Sequence, residues 1–213
     1  RLGHGGTRRR PTRGRRFVVA CQTWGVNFSS SPHAGELLVS SEAAGGGFFD
    51  QAVIFLLDND ENGAIGVALN KPSTTPVAEV LPAWAGELNP PSVLFAGGPV
   101  APNGAICLAK VMDSGEEPPG WRPVLGDVGL LHLDTPVEIA AGAYSDVRVF
   151  AGYSGWDPGQ LSDELDRGVW LRAPARDEDV FGAQAEGLWR RVLRRVGGDA
   201  GLLSGYADKP ALN

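Results

Sequence analysis

Val147-Arg148-Val149-Phe150-Ala151-Gly152-Tyr153-Ser154-Gly155-Trp156-Asp157-Pro158-Gly159-Gln160-Leu161 is a short alternating run that breaks at glycines and restarts with helix-entry residues. It predicts a strand, a sharp turn between Gly152 and Trp156, and a helix. Asp157 can cap the first free amides, Pro158 suits the first helical position because it has no N–H to leave unpaired, and Leu161 and Leu165 recur at helical spacing. A corner of this kind is where α/β folds place ligands. Trp156 is expected to bury its ring against the turn, and its indole N–H then needs a partner.

The surrounding chain fits one main core. Its 213 residues are 43% hydrophobic and 21% charged, as in an ordinary soluble globular protein. The net charge of -6 is uneven: residues 1–35 hold seven arginines and no acid, which leaves 12 basic against 25 acidic residues, or -13, for the rest. That balance disfavours nucleic-acid binding by the folded part. Residues 1–34 are expected to form a basic, disordered leader, with the domain spanning 35–213. Cys21 and Cys107 are too few for a disulfide framework or a Cys-x-x-Cys metal site, so a reducing compartment, the cytoplasm, is the expected location. No apolar run approaches the roughly 20 residues that a membrane helix needs.

Along the domain, Glu36–Ser40 reads as a first strand. Gln51–Leu57 and Ala64–Leu69 read as a hairpin closed by Asp58-Asn59-Asp60-Glu61-Asn62-Gly63, whose Asn-Gly end is a strong turn signal. The acidic turn lacks the ligand spacing of a calcium loop and reads as solvated. Thr75-Pro76-Val77 opens a short helix that Pro82 stops. Val93–Ala96 is a strand broken at Gly97-Gly98, and Ala105–Val111 pairs next, which makes Cys107 a core residue. After Val128–Leu133, Thr135-Pro136-Val137-Glu138 has the form of a capping box. Val169–Leu171 is a strand, and 183–196 is a helix with Leu188, Trp189, Val192, Leu193 and Val196 on one face and four arginines on the other.

Catalytic patterns are incomplete. Gly152-Tyr153-Ser154-Gly155-Trp156 differs from a nucleophile elbow by having Trp156 in place of the last glycine, and no histidine follows Ser154. Asp163, Glu164 and Asp166 read as solvated charge on an exposed helix. The sequence implies no catalytic set, no metal site and no cofactor.

Four motifs in order resemble the bacterial YqgE/AlgH family: Phe48-Phe49 before an apolar strand, Asn62-Gly63-Ala64-Ile65-Gly66 through Leu69-Asn70-Lys71-Pro72, Gly97-Gly98-Pro99-Val100, and Gly152–Trp156 with Gln160, Leu161, Glu164 and Trp170. The resemblance implies a single α+β domain with a mixed, strongly bent sheet, a partial barrel, packed by helices. Its AlgH branch carries the label of transcriptional regulator. Relatives often have alanine at the position of Ser154, which argues against a nucleophile there. Many carry a Cys-Glu-His run where this chain reads Leu57-Asp58-Asn59, so no thiol chemistry can operate at that point. A basic residue is usual after the Phe pair, where this chain has Asp50-Gln51.

Two classes of function follow. The favoured one is a non-catalytic regulatory or binding module that holds a small molecule or a protein at the two glycine corners, through Asn70, Gly97, Gly98, Tyr153, Gly155, Trp156 and Gln160. The alternative is an enzyme using Asn70, Tyr153 and Gln160, with an amide of Gly98 or Gly155 as anion donor. The two differ spatially: a ligand site requires both corners to line one concave surface.

Overall fold

The structure is a computed structural model that describes residues 31–202 apart from 42, 43, 45 and 199. The first thirty residues, most of the expected leader, lie outside it. Residues 31–34, assigned by sequence to that leader, already touch the domain: Asn59 Nδ2 donates to the Pro32 carbonyl at 2.7 Å, and His33 Nε2 lies 3.0 Å from Glu36 Oε1.

Among the described residues ten strands form one strongly curled, mixed sheet, a half-barrel with helices against it. Its main path runs β10 (Trp170–Pro174), β1 (Glu36–Ser40), β2 (Val53–Asp60), β3 (Gly63–Ala68), β9 (Tyr144–Trp156), β6 (Val100–Val111), β8 (Val128–Leu131) and β7 (Trp121–Leu125). Two short strands branch from this path. β4 (Pro72–Pro76) pairs with β5 (Val93–Ala96), and β5 runs parallel to β9, with Phe95 opposite Phe150. The other pairings are antiparallel.

The strands read as continuous apolar runs because both faces of the sheet are covered. Inside the curl, Leu37, Val39, Val53, Phe55, Phe95 and Phe150 pack against α4 (Asp177–Phe181) and α5 (Leu188–Val196). Burying Leu188, Trp189, Val192 and Leu193 stabilises this contact by roughly 1.5–3 kcal/mol for each side chain. On the outside, Cys107, Val147 and Val149 pack under α1 (Val77–Val80) and α2 (Val137–Ala140). Further along that outer side, Ile54, Leu56, Trp156 and Trp170 pack under α3 (Gln160–Asp166). No helix among the described residues is long and apolar enough to cross a membrane.

Several local expectations change. The glycines of the central stretch do not end its strand. β9 runs unbroken to Trp156, and the corner falls at Asp157-Pro158-Gly159, with Gly159 as the residue before the helix. Asp157 makes no side-chain cap. Its own amide donates instead to Gln160 Oε1 at 3.0 Å, so the helix side chain reaches back to the corner. The capping box at Thr135 does not form: α2 is a single turn preceded by Pro136, with no side-chain cap. The last helix starts at Leu188, five residues late, because Gly187 sits at φ 77°. β7 and α4 carry no strong periodicity and are held by tertiary contacts.

Candidate functional site

Two of the expected glycine corners do different things. Gly97 and Gly98 lie where the chain passes from β5 to β6 across β9. A Cβ on Gly98 would overlap the main chain of Tyr153, and one on Gly97 would overlap the Gly152 carbonyl. Gly152 itself adopts φ 67°. The Gly97 carbonyl accepts from the Ala68 amide at 2.9 Å and from Ser154 Oγ at 3.1 Å. Here glycine permits close approach of backbones. Asn70 is also structural in its contacts: its Oδ1 accepts from the Val53 amide at 2.9 Å and its Nδ2 donates to the Gln51 carbonyl at 2.8 Å, tying β2 to the end of β3.

The remaining four residues meet. Tyr153, Gly155, Trp156 and Gln160 line an open cleft of about 490 Å³ between the end of β9 and the β2–β3 turn. Asp58, Asp60 and Asp157 line it too, alongside the apolar Ala64, Ile65 and Val100, and no lysine, arginine or histidine is among its lining residues. A one-residue bulge at Leu57 shifts the β2–β3 register, and beyond it Asp58 and Asp60 come to the cleft. Asp60 is braced by the Asn62 amide at 2.7 Å and Asn62 Nδ2 at 3.2 Å, whereas among the described residues Asp58 accepts from its neighbouring Asn59 amide at 3.0 Å. The turn read as solvated is therefore one rim of the concave surface. Three carboxylates without a cation give that surface a negative potential.

The wall behind the cleft is held together by one carboxylate and three aromatic rings. The Trp156 and Trp170 indole nitrogens both donate to Glu164 Oε2, at 2.9 and 2.7 Å, and Gln160 Nε2 donates to Glu164 Oε1 at 2.9 Å. The two indoles meet edge to face at 5.8 Å, and Phe49 meets Trp170 at 5.6 Å. Burial is the largest single influence on Glu164 and disfavours its charge. The donors Gln160, Trp170 and Trp156, with the Arg167 charge, together outweigh it and hold the carboxyl below its ordinary value. Glu164, taken from sequence as solvated, is the anchor of this cluster. Its spacing of four from Gln160 and eight from Trp156 was the available signal.

Two other groups are accounted for structurally. Arg148, on the inner face of β9 and 2% exposed, donates to the carbonyls of Val180, Phe181 and Gly182 at 2.6, 3.0 and 3.1 Å, and sits 4.4 Å from the centre of the Phe95 ring. It satisfies the free carbonyls at the end of α4, while burial, against the attraction of Asp146, lowers its pKa to about 10. Burial pushes the Cys107 thiol up to about 12, which keeps it a packing group.

Comparison with known proteins agrees with this architecture. A family model described as AlgH-like matches residues 37–201. A UPF0301 protein of Streptomyces coelicolor is 45% identical over 182 residues, covering 84% of this chain and 94% of the relative. A UPF0301 protein of Mycobacterium tuberculosis is 41% identical over 165 residues, covering 76% and 81%. Among solved structures, a Corynebacterium diphtheriae protein superposes with a TM-score of 0.77 at 27% identity, covering 82% of this chain and 92% of that one. The AlgH protein of Pseudomonas aeruginosa does so with 0.62 at 27%, covering 84% and 98%. The chain belongs to the AlgH-like family.

Proposed function

We propose that this protein is a non-catalytic binding module of a regulatory kind, acting in the cytoplasm, which captures a cationic group of a small molecule or a partner protein at the end of β9. The observation that carries this reading is the convergence of Tyr153, Gly155, Trp156 and Gln160 with Asp58, Asp60 and Asp157 on one concave surface that has no basic lining residue. Carboxylates around an aromatic wall suit an ammonium or guanidinium group, through charge-assisted hydrogen bonds and the negative face of a ring. The cleft's lining includes no serine, cysteine or histidine that could act as nucleophile or as a base near neutral pH, which favours binding over chemistry. The -13 balance beyond residue 35 opposes direct recognition of DNA by the folded part.

Titration of the full chain with triarginine amide and with spermidine, read by tryptophan emission, tests the reading. Saturable binding that weakens with salt and disappears in the combined Asp58→Asn, Asp60→Asn, Asp157→Asn variant is expected. An unchanged response in that variant would place the ligand surface elsewhere.

A further inference from the structure

We propose that residues 31–35 form a strap that sets the register of the β2–β3 hairpin, and so decides which of its side chains face the cleft. The strap acts on the rim itself, whatever the cleft binds. Up to Leu56 the pairing follows one register, with Ile54 opposite Ala68, Phe55 opposite Val67 and Leu56 opposite Gly66. Beyond the bulge every partner is displaced by one: Asp58 stands opposite Ile65, Asn59 opposite Ala64 and Asp60 opposite Gly63. If the first register continued, Leu57 would face Ile65, Asp58 would face Ala64 and Asn59 would face Gly63. The connection would then lengthen from Glu61-Asn62 to Asp60-Glu61-Asn62. Loops of two and of three residues both close hairpins, so the turn does not dictate the choice. The choice matters because a slip of one residue turns each side chain to the opposite face. Asp58 would leave the cleft side of the hairpin and Asn59 would take its place.

The strap grips β2 on both sides of the bulge. Before it, the Gly35 amide donates to the Leu56 carbonyl at 2.8 Å. After it, Asn59 Nδ2 donates to the Pro32 carbonyl at 2.7 Å. Between these ties the strap has a fixed shape: Pro32 and Gly35 are buried, and Gly35 holds φ 87° where an added Cβ would meet Leu125. Its outer end is held as well. Arg172 Nη2 lies 3.3 Å from the Ser31 carbonyl, and His33 Nε2 lies 3.0 Å from Glu36 Oε1. Arg172 in turn grips both oxygens of Glu36 from β10, each at 2.7 Å. In the hairpin without a bulge Asn59 points to the other face, and the carbonyl of the buried Pro32 loses its donor. The docked strap is therefore matched to the bulged register alone.

The test makes Asn59→Ala and, separately, Pro32→Gly in the full chain. The Ala64 Hα proton reports the register, because its cross-strand neighbour is residue 59 with the bulge and Asp58 without it. Both variants should keep a cooperative melt. Each should raise the population of the second register about fivefold, which is what one net hydrogen bond contributes. The readout is exchange NMR at Ala64, with a new contact between Ala64 and Asp58. The double variant should add little, because both changes release the same tie. If neither variant populates the second register, the packing of Leu57 and the turn fix the hairpin unaided and the proposal is overturned. Loss of the Ala64 contacts to both neighbours overturns it too, since the strap would then stabilise the hairpin without choosing its register. A lost cooperative melt has the same consequence, because the strap would then be part of the core.

Discussion

Replacing Glu164 by glutamine should loosen the wall of the cleft through one atom. In the native protein Oε2 accepts two indole N–H groups and Oε1 accepts the Gln160 amide. Glutamine keeps one acceptor, and its NH2 then opposes either an indole N–H or the NH2 of Gln160. At least one donor loses its partner. Trp156 and Trp170 are 7% and 3% exposed, so their indoles cannot turn to water without breaking the packing around them. Hydrogen bonds to charged groups contribute roughly 1.5–3 kcal/mol, and Glu164 is only partly buried, so about 2 kcal/mol is a suitable expectation at pH 7. For a domain of this size that lowers Tm by about 4–8 °C. The pH dependence has a definite sign. The folded carboxyl lies below its ordinary value of 4.5, so its stabilisation is present above that value and is lost as pH falls through the lower folded one. The gap in Tm between wild type and Glu164→Gln should be full at pH 7 and should narrow below about pH 4. Thermal unfolding of both proteins across that range, with tryptophan emission as second probe, measures it. Equal Tm at pH 7, or a gap that stays constant into acid, would refute the reasoning.

Gly98→Ala should prevent cooperative folding or lower stability by more than about 3 kcal/mol, because the added carbon meets main-chain atoms of Tyr153 that cannot give way; circular dichroism melting checks it. Arg148→Met should cost about 3–5 kcal/mol by leaving three carbonyls at the end of α4 unpaired, with no change in the pH profile between 5 and 9, since Arg148 titrates at about 10; urea unfolding at several pH values measures both. Trp156→Ala should cost about 3–5 kcal/mol, whereas Trp156→Phe should largely keep the fold while weakening cation binding in the cleft; melting beside triarginine titration separates the two effects.

The positions of most strands were legible because the sheet is covered on both faces, whereas their order was not: 105–111, read as pairing next to 93–96, lies instead between β9 and β8. β1, β2, β3, β5 and the ends of β6 and β9 are apolar runs bounded by turn residues, and such runs announce themselves. Where the chain is held by partners distant in sequence, that signal fails. β7 contains Trp121, Arg122 and Pro123 and survives as an edge strand because Trp121 Nε1 bonds the Ala109 carbonyl at 3.2 Å. α4 has five residues and is fixed by Arg148 from β9 and by Arg195, which meets Asp179 at 2.6 Å. The capping pattern at Thr135 was locally sound. Its hydroxyl instead lies against Gly120, in the space where any other residue there would carry its Cβ. Local propensity yielded to packing in each case.

The candidate site shows the same division between local and distant information. Gly155, Trp156 and Gln160 were chosen from one continuous stretch, and continuity kept them together. The acids were not visible as members of the cleft, because Asp58 and Asp60 reach it only through the extra residue at Leu57, which no periodicity reveals. Asn70, Gly97 and Gly98 were chosen on the same family pattern as Trp156, yet their bonds are spent on holding β2, β3, β5 and β9 at the right distances. A motif shared by a family records both kinds of constraint alike. Physical contacts separate them: a residue whose polar atoms are all paired to the main chain shapes the site, and one that leaves polar surface at the cleft can meet a ligand. By that criterion Asp58 at the cleft, read from sequence as part of a solvated turn, has more to offer a cationic partner than either glycine of the pair.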